Sequence, residues 1–276
     1  MHGIPDIGNL DCRDERQARL ARMIDGELLP RLMRSDEPSD IAEDPNGAFA
    51  DGAEACSGPV AELARIVLAS DFSVATAYVR TMNLNELSLE DLCSELLAPT
   101  ARRLGEMWER DHCHFADVTL ALWRLQQVLR EFSEVLPSRT PRLEHALSAL
   151  LVPAPGEQHT FGLSIVMEFF VRAGWDVCGG PPAFVGELRD LIRTNWFDVV
   201  GFSVSSDKGL EPLASCIREV RAVSRNPGIG VLVGGAVFSH HPELVAKVGA
   251  DLMVVDGQQA PVQAERLVAS FAQDRN

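Results

Sequence analysis

Residues 146–162 read ALSALLVPAPGEQHTFG, and their first nine are of strand length and apolar almost throughout. A strand with one solvated face alternates apolar and polar residues. A run without alternation predicts a strand covered on both faces, as in a parallel sheet. Four more such runs follow: WDVCGG (175–180), DVVGFSV (198–204), IGVLVGG (229–235) and DLMVVD (251–256). Between them lie segments of helical length that start near His159, Phe184, Gly209, His241 and Gln258. Strand–helix alternation of this kind predicts an α/β domain over 143–276, a doubly wound Rossmann-like domain with five parallel strands.

Upstream the pattern is helical. Over 59–137 the apolar residues recur at helical spacing in PVAELARIVLAS, DFSVATAYVRTMN, SLEDLCSELLAPTARRLGEMWERD and FADVTLALWRLQQVLREFSEV. Ser88 followed by Glu90 and Asp91 is a helix-start signal. Four helices with short connections predict a bundle, closed off by Pro137 and Pro141. The first 58 residues read as an N-terminal helix over 12–34, with Leu20, Ile24, Leu28 and Leu32 on one face, and then an acidic linker. That linker, 35–58, holds seven Asp or Glu and no Lys or Arg.

The net charge is −15, which disfavours direct DNA binding, because such binding relies on Lys and Arg neutralising phosphates. No apolar run approaches the roughly 18 residues needed to span a bilayer, and no secretory signal is legible at the start. The six cysteines form no C-x-x-C pair. The expectation is a reduced, cytoplasmic protein with no membrane partner.

In a doubly wound sheet, ligands bind beyond the carboxyl ends of the strands. Three features fall there: Glu157-Gln158-His159-Thr160-Phe161-Gly162 after the first strand, Ser203-Val204-Ser205-Ser206 after the third, and Gly234-Gly235 ending the fourth. An imidazole on a loop can reach a metal, and a carboxylate two residues earlier can hold its other ring nitrogen. Small residues at 203, 205, 234 and 235 leave room for a flat group against the sheet. Singly, a loop histidine is most often solvated, a Gly pair makes a turn, and a Ser after a strand caps a helix. Together at successive strand ends they point to a binding site. There is no phosphate-binding P-loop and no G-x-S-x-G elbow. His112-Cys113-His114 lacks a second ligand pair at zinc spacing.

The pattern E-x-H-x-x-G, S-x-S, G-G resembles the D-x-H-x-x-G, S-x-L/T, G-G signature of cobalamin-binding Rossmann domains, with Glu157 in place of the Asp. The resemblance implies that His159 is the lower ligand to cobalt. It implies that Glu157, Gln158, Thr160, Gly162, Ser203, Val204, Ser205, Gly234, Gly235 and Gly257 surround the cofactor. The helices before it resemble the cap over the upper face of cobalamin, with Trp108 facing the corrin. Capped photoreceptors carry a Glu-His pair ten and eleven residues after that Trp. Here those positions are Val118 and Thr119.

Over roughly 60–272 the chain is similar to the AerR/PpaA family of photosynthesis regulators of purple bacteria. That resemblance implies a non-enzymatic, light-responsive antirepressor that contacts a CrtJ/PpsR-type repressor. The implied cofactor is cobalamin in its hydroxo or aquo form, with heme as an alternative. A corrinoid methyl-carrier subunit of a methyltransferase is the competing function; it would share the histidine motif and the bundle.

Overall fold

The computed structural model of the protein describes residues 58–82, 87–136, 146–180 and 185–273. The helix expected over 12–34, the acidic stretch up to residue 57 and the prolines 137 and 141 lie outside them. Ser57–Asn276 forms one compact unit.

Four helical stretches make the first layer. Helices α1 (Pro59–Ala69) and α2 (Phe72–Arg80) come first; α1 opens on a proline, whose missing N–H costs nothing at a helix start. The third stretch is capped by Ser88. Its hydroxyl accepts the Asp91 N–H at 3.2 Å, and the Asp91 carboxylate accepts the Ser88 N–H at 3.0 Å. From there the chain runs through a helical turn, Leu89–Asp91, and a π-helical segment, Leu92–Leu97, into α3 (Ala98–Glu109). The wide segment has a local cause. Pro99 has no N–H to donate, and its ring would crowd the carbonyl four residues back. The Ala98 N–H instead reaches five residues back, to the Cys93 carbonyl. Helix α4 (Phe115–Ser133) buries Val118, Ala121, Leu125, Val128, Leu129 and Phe132, a stripe at helical period.

The second region is a five-stranded parallel sheet: β1 (Ser148–Pro153), β2 (Asp176–Gly179), β3 (Val199–Ser203), β4 (Gly230–Gly234) and β5 (Leu252–Val254). The five parallel strands are those the alternation of runs predicts, and their order is β2-β1-β3-β4-β5, that of the flavodoxin-like doubly wound sheets. Helices α5 (Phe161–Arg172), α6 (Val185–Thr194) and α7 (Leu210–Val223) cross over between strands, and α10 (Ala260–Gln273) follows β5. Between β4 and β5 the expected single helix near His241 is instead two short ones, α8 (Ala236–His240) and α9 (Leu244–Val248). Pro242 interrupts them, since it has no N–H to continue α8.

Successive strand residues face opposite sides. Leu150, Val152, Val200, Phe202, Val231 and Val233 pack with Ile192, Leu213 and Phe238. Ala149, Leu151, Val199 and Leu232 pack with Leu163, Phe170 and Ala264. Both faces are therefore dry, which is why the strand sequences do not alternate.

Helix α5 joins the two regions. Leu163 and Phe170 face the sheet, while Phe161, Ile165 and Phe169 enter the core of the helical layer beside Leu125 and Phe132. Its sequence, FGLSIVMEFFVR, is apolar nearly all round because it is a wall shared by two cores.

Candidate functional site

The reversal point of the strand order lies between β1 and β3, and the candidate residues stand on the loops that leave those two strands. After β1 the chain makes a tight turn, Ala154-Pro155-Gly156-Glu157, closed by the Glu157 N–H on the Ala154 carbonyl at 2.9 Å. Gly156 has a φ of 82°, the value the third position of a type II turn demands. This turn sets Glu157 against the loop after β3. The loops are also stitched through the backbone: Ala154 N–H to Ser203 carbonyl and Val204 N–H to Gly234 carbonyl, both at 2.9 Å.

Glu157 is the hub. Its side chain is only 7% exposed, whereas that of His159 is 72% exposed. Oε1 accepts from the backbone N–H groups of Gln158 and His159, each at 2.8 Å, and lies 2.6 Å from His159 Nδ1. Oε2 accepts from the Ser205 N–H at 2.6 Å and from the Ser205 hydroxyl. Burial acts to raise the Glu157 carboxyl. Hydrogen bonds from the Ser205 hydroxyl, from the His159 and Ser205 N–H groups and from the imidazole outweigh it and hold the carboxyl down to about 2. At neutral pH Glu157 is therefore a carboxylate and only accepts.

The charge of Glu157 decides the imidazole's tautomer. Nδ1 faces an acceptor, so it is the donor of that contact, and Nε2 is the other nitrogen of an exposed ring. Ser205 Oγ also lies 3.0 Å from Nδ1. Carboxylate and hydroxyl thus share one ring nitrogen. A nucleophile triad needs them on opposite nitrogens, so this cluster is not a hydrolase triad. What it offers is a fixed ring with one nitrogen turned outward.

The longer side chain of Glu157, relative to Asp, does not prevent the contact with His159. Ser205 has a part that its sequence position did not reveal: it is tied to Glu157 across 48 residues of chain. Gln158 is exposed, and Thr160 is the residue that precedes α5. Gly162 has open space where a side chain would stand. Ser203 and Gly234 are half-buried partners at the ends of β3 and β4. The Val204 side chain is core, so the rim receives its backbone only. Gly235 has a φ of 116°, and a Cβ there would stand 1.9 Å from the Val204 carbonyl oxygen. Gly257 packs so closely on α5 that a Cβ would come 2.9 Å from Val166 Cγ2.

Helix α4 runs alongside α5 in the same direction: Gln126 meets Ser164 in the first turn of α5, and Ser133 meets Arg172 at its end. The three turns of α4 before Gln126 therefore rise about 16 Å further, past the start of α5 and beyond the carboxyl edge of the sheet. At that end lie Trp108 and Phe115, 44% and 64% exposed, packed edge-to-face at 6.2 Å. Phe115 escapes notice in the sequence, although an apolar residue opening a helix after an exposed turn is a signal. Among the described residues no three His, Cys, Asp or Glu side chains gather around a common metal position.

The B12-binding domain family matches residues 147–264. A Rhodobacter capsulatus protein described as an uncharacterized 20.5 kDa protein in the bchF-crtJ intergenic region is 30% identical over 168 residues, covering 61% of this chain and 87% of that one. The Methanosarcina barkeri monomethylamine corrinoid protein has the same fold, with a TM-score of 0.60 at 13% identity over 74% of this chain and 96% of that one. Among the described residues no helix is long and apolar enough to cross a membrane. The chain carries a B12-binding domain beneath a helical layer, and it belongs to the AerR/PpaA family together with that Rhodobacter relative.

Proposed function

We propose that this protein is a cobalamin-responsive regulator that works by protein contact, with His159 Nε2 as the protein's ligand to cobalt. The observation that carries the reading is the Glu157–His159–Ser205 cluster, which fixes Nδ1 as a donor and leaves Nε2 exposed. The surroundings fit a bulky flat group: Gly162 beside the histidine has no neighbour in the way, and Trp108 and Phe115 lie at the overhanging end of the helical layer. Ser203, Gly234 and Gly235 are the small residues that would line the path of the nucleotide tail. Gln158, Thr160, the Val204 backbone and Gly257 flank that path. Cobalamin held there, hydroxo or aquo in form, would supply a cobalt ion whose ligation light could change.

Regulation rather than catalysis is supported by the relative's place in the bchF-crtJ intergenic region. It is also supported by Val118 and Thr119, which bring neither acid nor imidazole to the helical layer. On this reading the partner is a CrtJ/PpsR-type repressor in the cytoplasm, and the protein is an antirepressor. A ligand changes that contact only if it binds one arrangement of the helical layer better than another.

The test is reconstitution of the purified protein with hydroxocobalamin, in the dark and after illumination. Absorption spectra follow desalting, for the wild type and His159→Ala. The expected result is retention with a ligand-shifted spectrum in the wild type and loss of both in the variant. Unchanged retention and spectrum in His159→Ala would refute the ligand role, and a Soret-type spectrum from heme would replace the cofactor. Capture of the repressor with and without cofactor tests the regulatory half.

A further inference from the structure

We infer that Gln126 and Ser164 form a latch that couples the position of the helical layer to the His159 loop. Gln126 Nε2 donates to Ser164 Oγ at 2.9 Å. The Ser164 hydroxyl donates in turn to the carbonyl of Thr160 at 3.2 Å, and the Ser164 N–H reaches the same carbonyl at 3.0 Å. Thr160 is the residue after His159. One relay of hydrogen bonds therefore runs from the middle of α4 to the peptide next to the exposed imidazole. All its donors and acceptors are used in the sense their chemistry allows: amide to hydroxyl, hydroxyl to carbonyl.

The other end of the same pair of helices is held differently. Arg172, nearly buried, donates through Nη1 to the Leu136 carbonyl at 2.7 Å and through Nη2 to the Ser133 carbonyl. Its Nε donates to Glu168 at 3.1 Å. A guanidinium on the last carbonyl of α4 and on one just beyond it is charge-assisted and multidentate, about twice as strong per bond as a neutral contact. The neutral, half-buried Gln126–Ser164 bond is the weaker fastening, and it is the one beside the rim. Helix α4 is thus pinned at its far end and latched at its near end. Movement of the overhanging end, which carries Phe115 and sits beside Trp108, loads the latch before the Arg172 anchor, and its opening leaves the Thr160 carbonyl held by the Ser164 bonds of α5 alone. Gln126 and Ser164 are positioning residues: they touch no ligand, and they act through the His159 loop.

The use of this coupling by a bound cofactor rests on the function proposed above; the coupling itself does not, and the test separates the two. Amide hydrogen exchange is followed on the full chain without cofactor, for the wild type, Gln126→Leu, Ser164→Ala, the double variant and Ser164→Thr. The expected result is exchange over residues 157–164 about fivefold faster in Gln126→Leu, the factor for one hydrogen bond, and at least that in Ser164→Ala, which loses two. The double variant should be no faster than Ser164→Ala, the Val118–Phe132 core of α4 should be unchanged, and Ser164→Thr should keep the wild-type rate. Unchanged rates, additive single effects, faster exchange throughout α4, or a Ser164→Thr that behaves like Ser164→Ala would each overturn the latch. In a second arm, hydroxocobalamin dissociation should quicken in Gln126→Leu and in Ser164→Ala and match the wild type in Ser164→Thr; equal dissociation in all of them would separate the latch from the cofactor. If His159→Ala refutes the ligand role while the exchange pattern holds, the latch stands and the cofactor reading falls.

Discussion

The rim of the sheet and the end of the helical layer above it both expose residues that a folded protein would ordinarily cover, but they are held by different forces. At the rim, Glu157 collects five close contacts from Gln158, His159 and Ser205, and its orientation is fixed before any ligand arrives. At the helical end, Trp108 and Phe115 rest on each other by one edge-to-face contact. Directional bonds select a geometry, whereas apolar surface adds affinity without much orientation. Damage to the rim should therefore change what is bound and how, and damage to the helical end should change only how tightly.

The largest effect should come from Gly235→Ala. The φ of 116° is one that an L side chain resists, and the new methyl would meet a backbone carbonyl that cannot swing aside. Destabilisation of at least about 3 kcal/mol is expected, a fall in melting temperature of roughly 6–12 °C. Thermal unfolding monitored by circular dichroism checks this. A variant as stable as the wild type would show that the β3 and β4 loops are not clamped together as described.

Next is Glu157→Gln, which keeps the shape but removes the charge that sets the imidazole's tautomer. Loss of an outer partner of this kind costs about 10–100-fold in metal affinity. Hydroxocobalamin binding measured by titration should weaken by that factor, with the bound spectrum altered. A weaker affinity with an unaltered spectrum would place Glu157 in loop packing alone.

How far the sequence foretold these regions follows from the same contrast. The rim was legible because its parts are contiguous: the acid, the imidazole and Gly162 fall within six residues, and buried parallel strands announce themselves as unbroken apolar runs. The capping box at Ser88 and the stripe of α4 were legible for a similar reason, since each is a local pattern. What stayed hidden depends on tertiary packing. Ser205 meets Glu157 across 48 residues and Gln126 meets Ser164 across 38, and no local periodicity encodes either. The π-helical segment arises from a conflict between Pro99 and helix continuation, where the apolar pattern alone reads as plain helix. The pair α8 and α9 stands where the apolar pattern reads as one helix starting near His241, because the break at Pro242 lies inside that run. The double-sided character of α5 was in view, in twelve residues with only Glu168 and Arg172 charged, but a sheet-covering helix needs one apolar face, and the second face was not assigned a partner.

The helical end gives a smaller effect. Trp108→Ala removes a side chain that is nearly half exposed, so the fold should lose under about 1 kcal/mol. If the indole covers a ligand, hydroxocobalamin should bind about fivefold more weakly, with its bound spectrum unchanged. Unchanged affinity in equilibrium dialysis would leave Trp108 as ordinary surface and move the overhang away from the ligand.

The smallest effect is a contrast in reactivity with no change in stability, and it tests whether the turn between α3 and α4 is as open as the exposed aromatics beside it suggest. Cys113 lies on that turn and is half-buried; partial burial, and then Asp117, raise its thiol. Cys93 is enclosed in the helical core, where burial, helped by Glu168 and Glu90, pushes the thiol up to about 12. Cys216 packs behind the sheet, where burial and then Glu219 push it up to about 11. A raised thiol pKa means a neutral, unreactive sulfur at every pH below it. At pH 8 the thiolate fraction is about one in ten thousand for Cys93 and one in a thousand for Cys216, before any steric protection. Peptide mapping after iodoacetamide at pH 8 should therefore find Cys113 labelled well before Cys93 or Cys216, and those two only once the protein is unfolded. Labelling of Cys93 at the rate of Cys113 in the folded protein would mean that the helical layer opens as a whole, and the distinction between a fixed core and an exposed end would be lost.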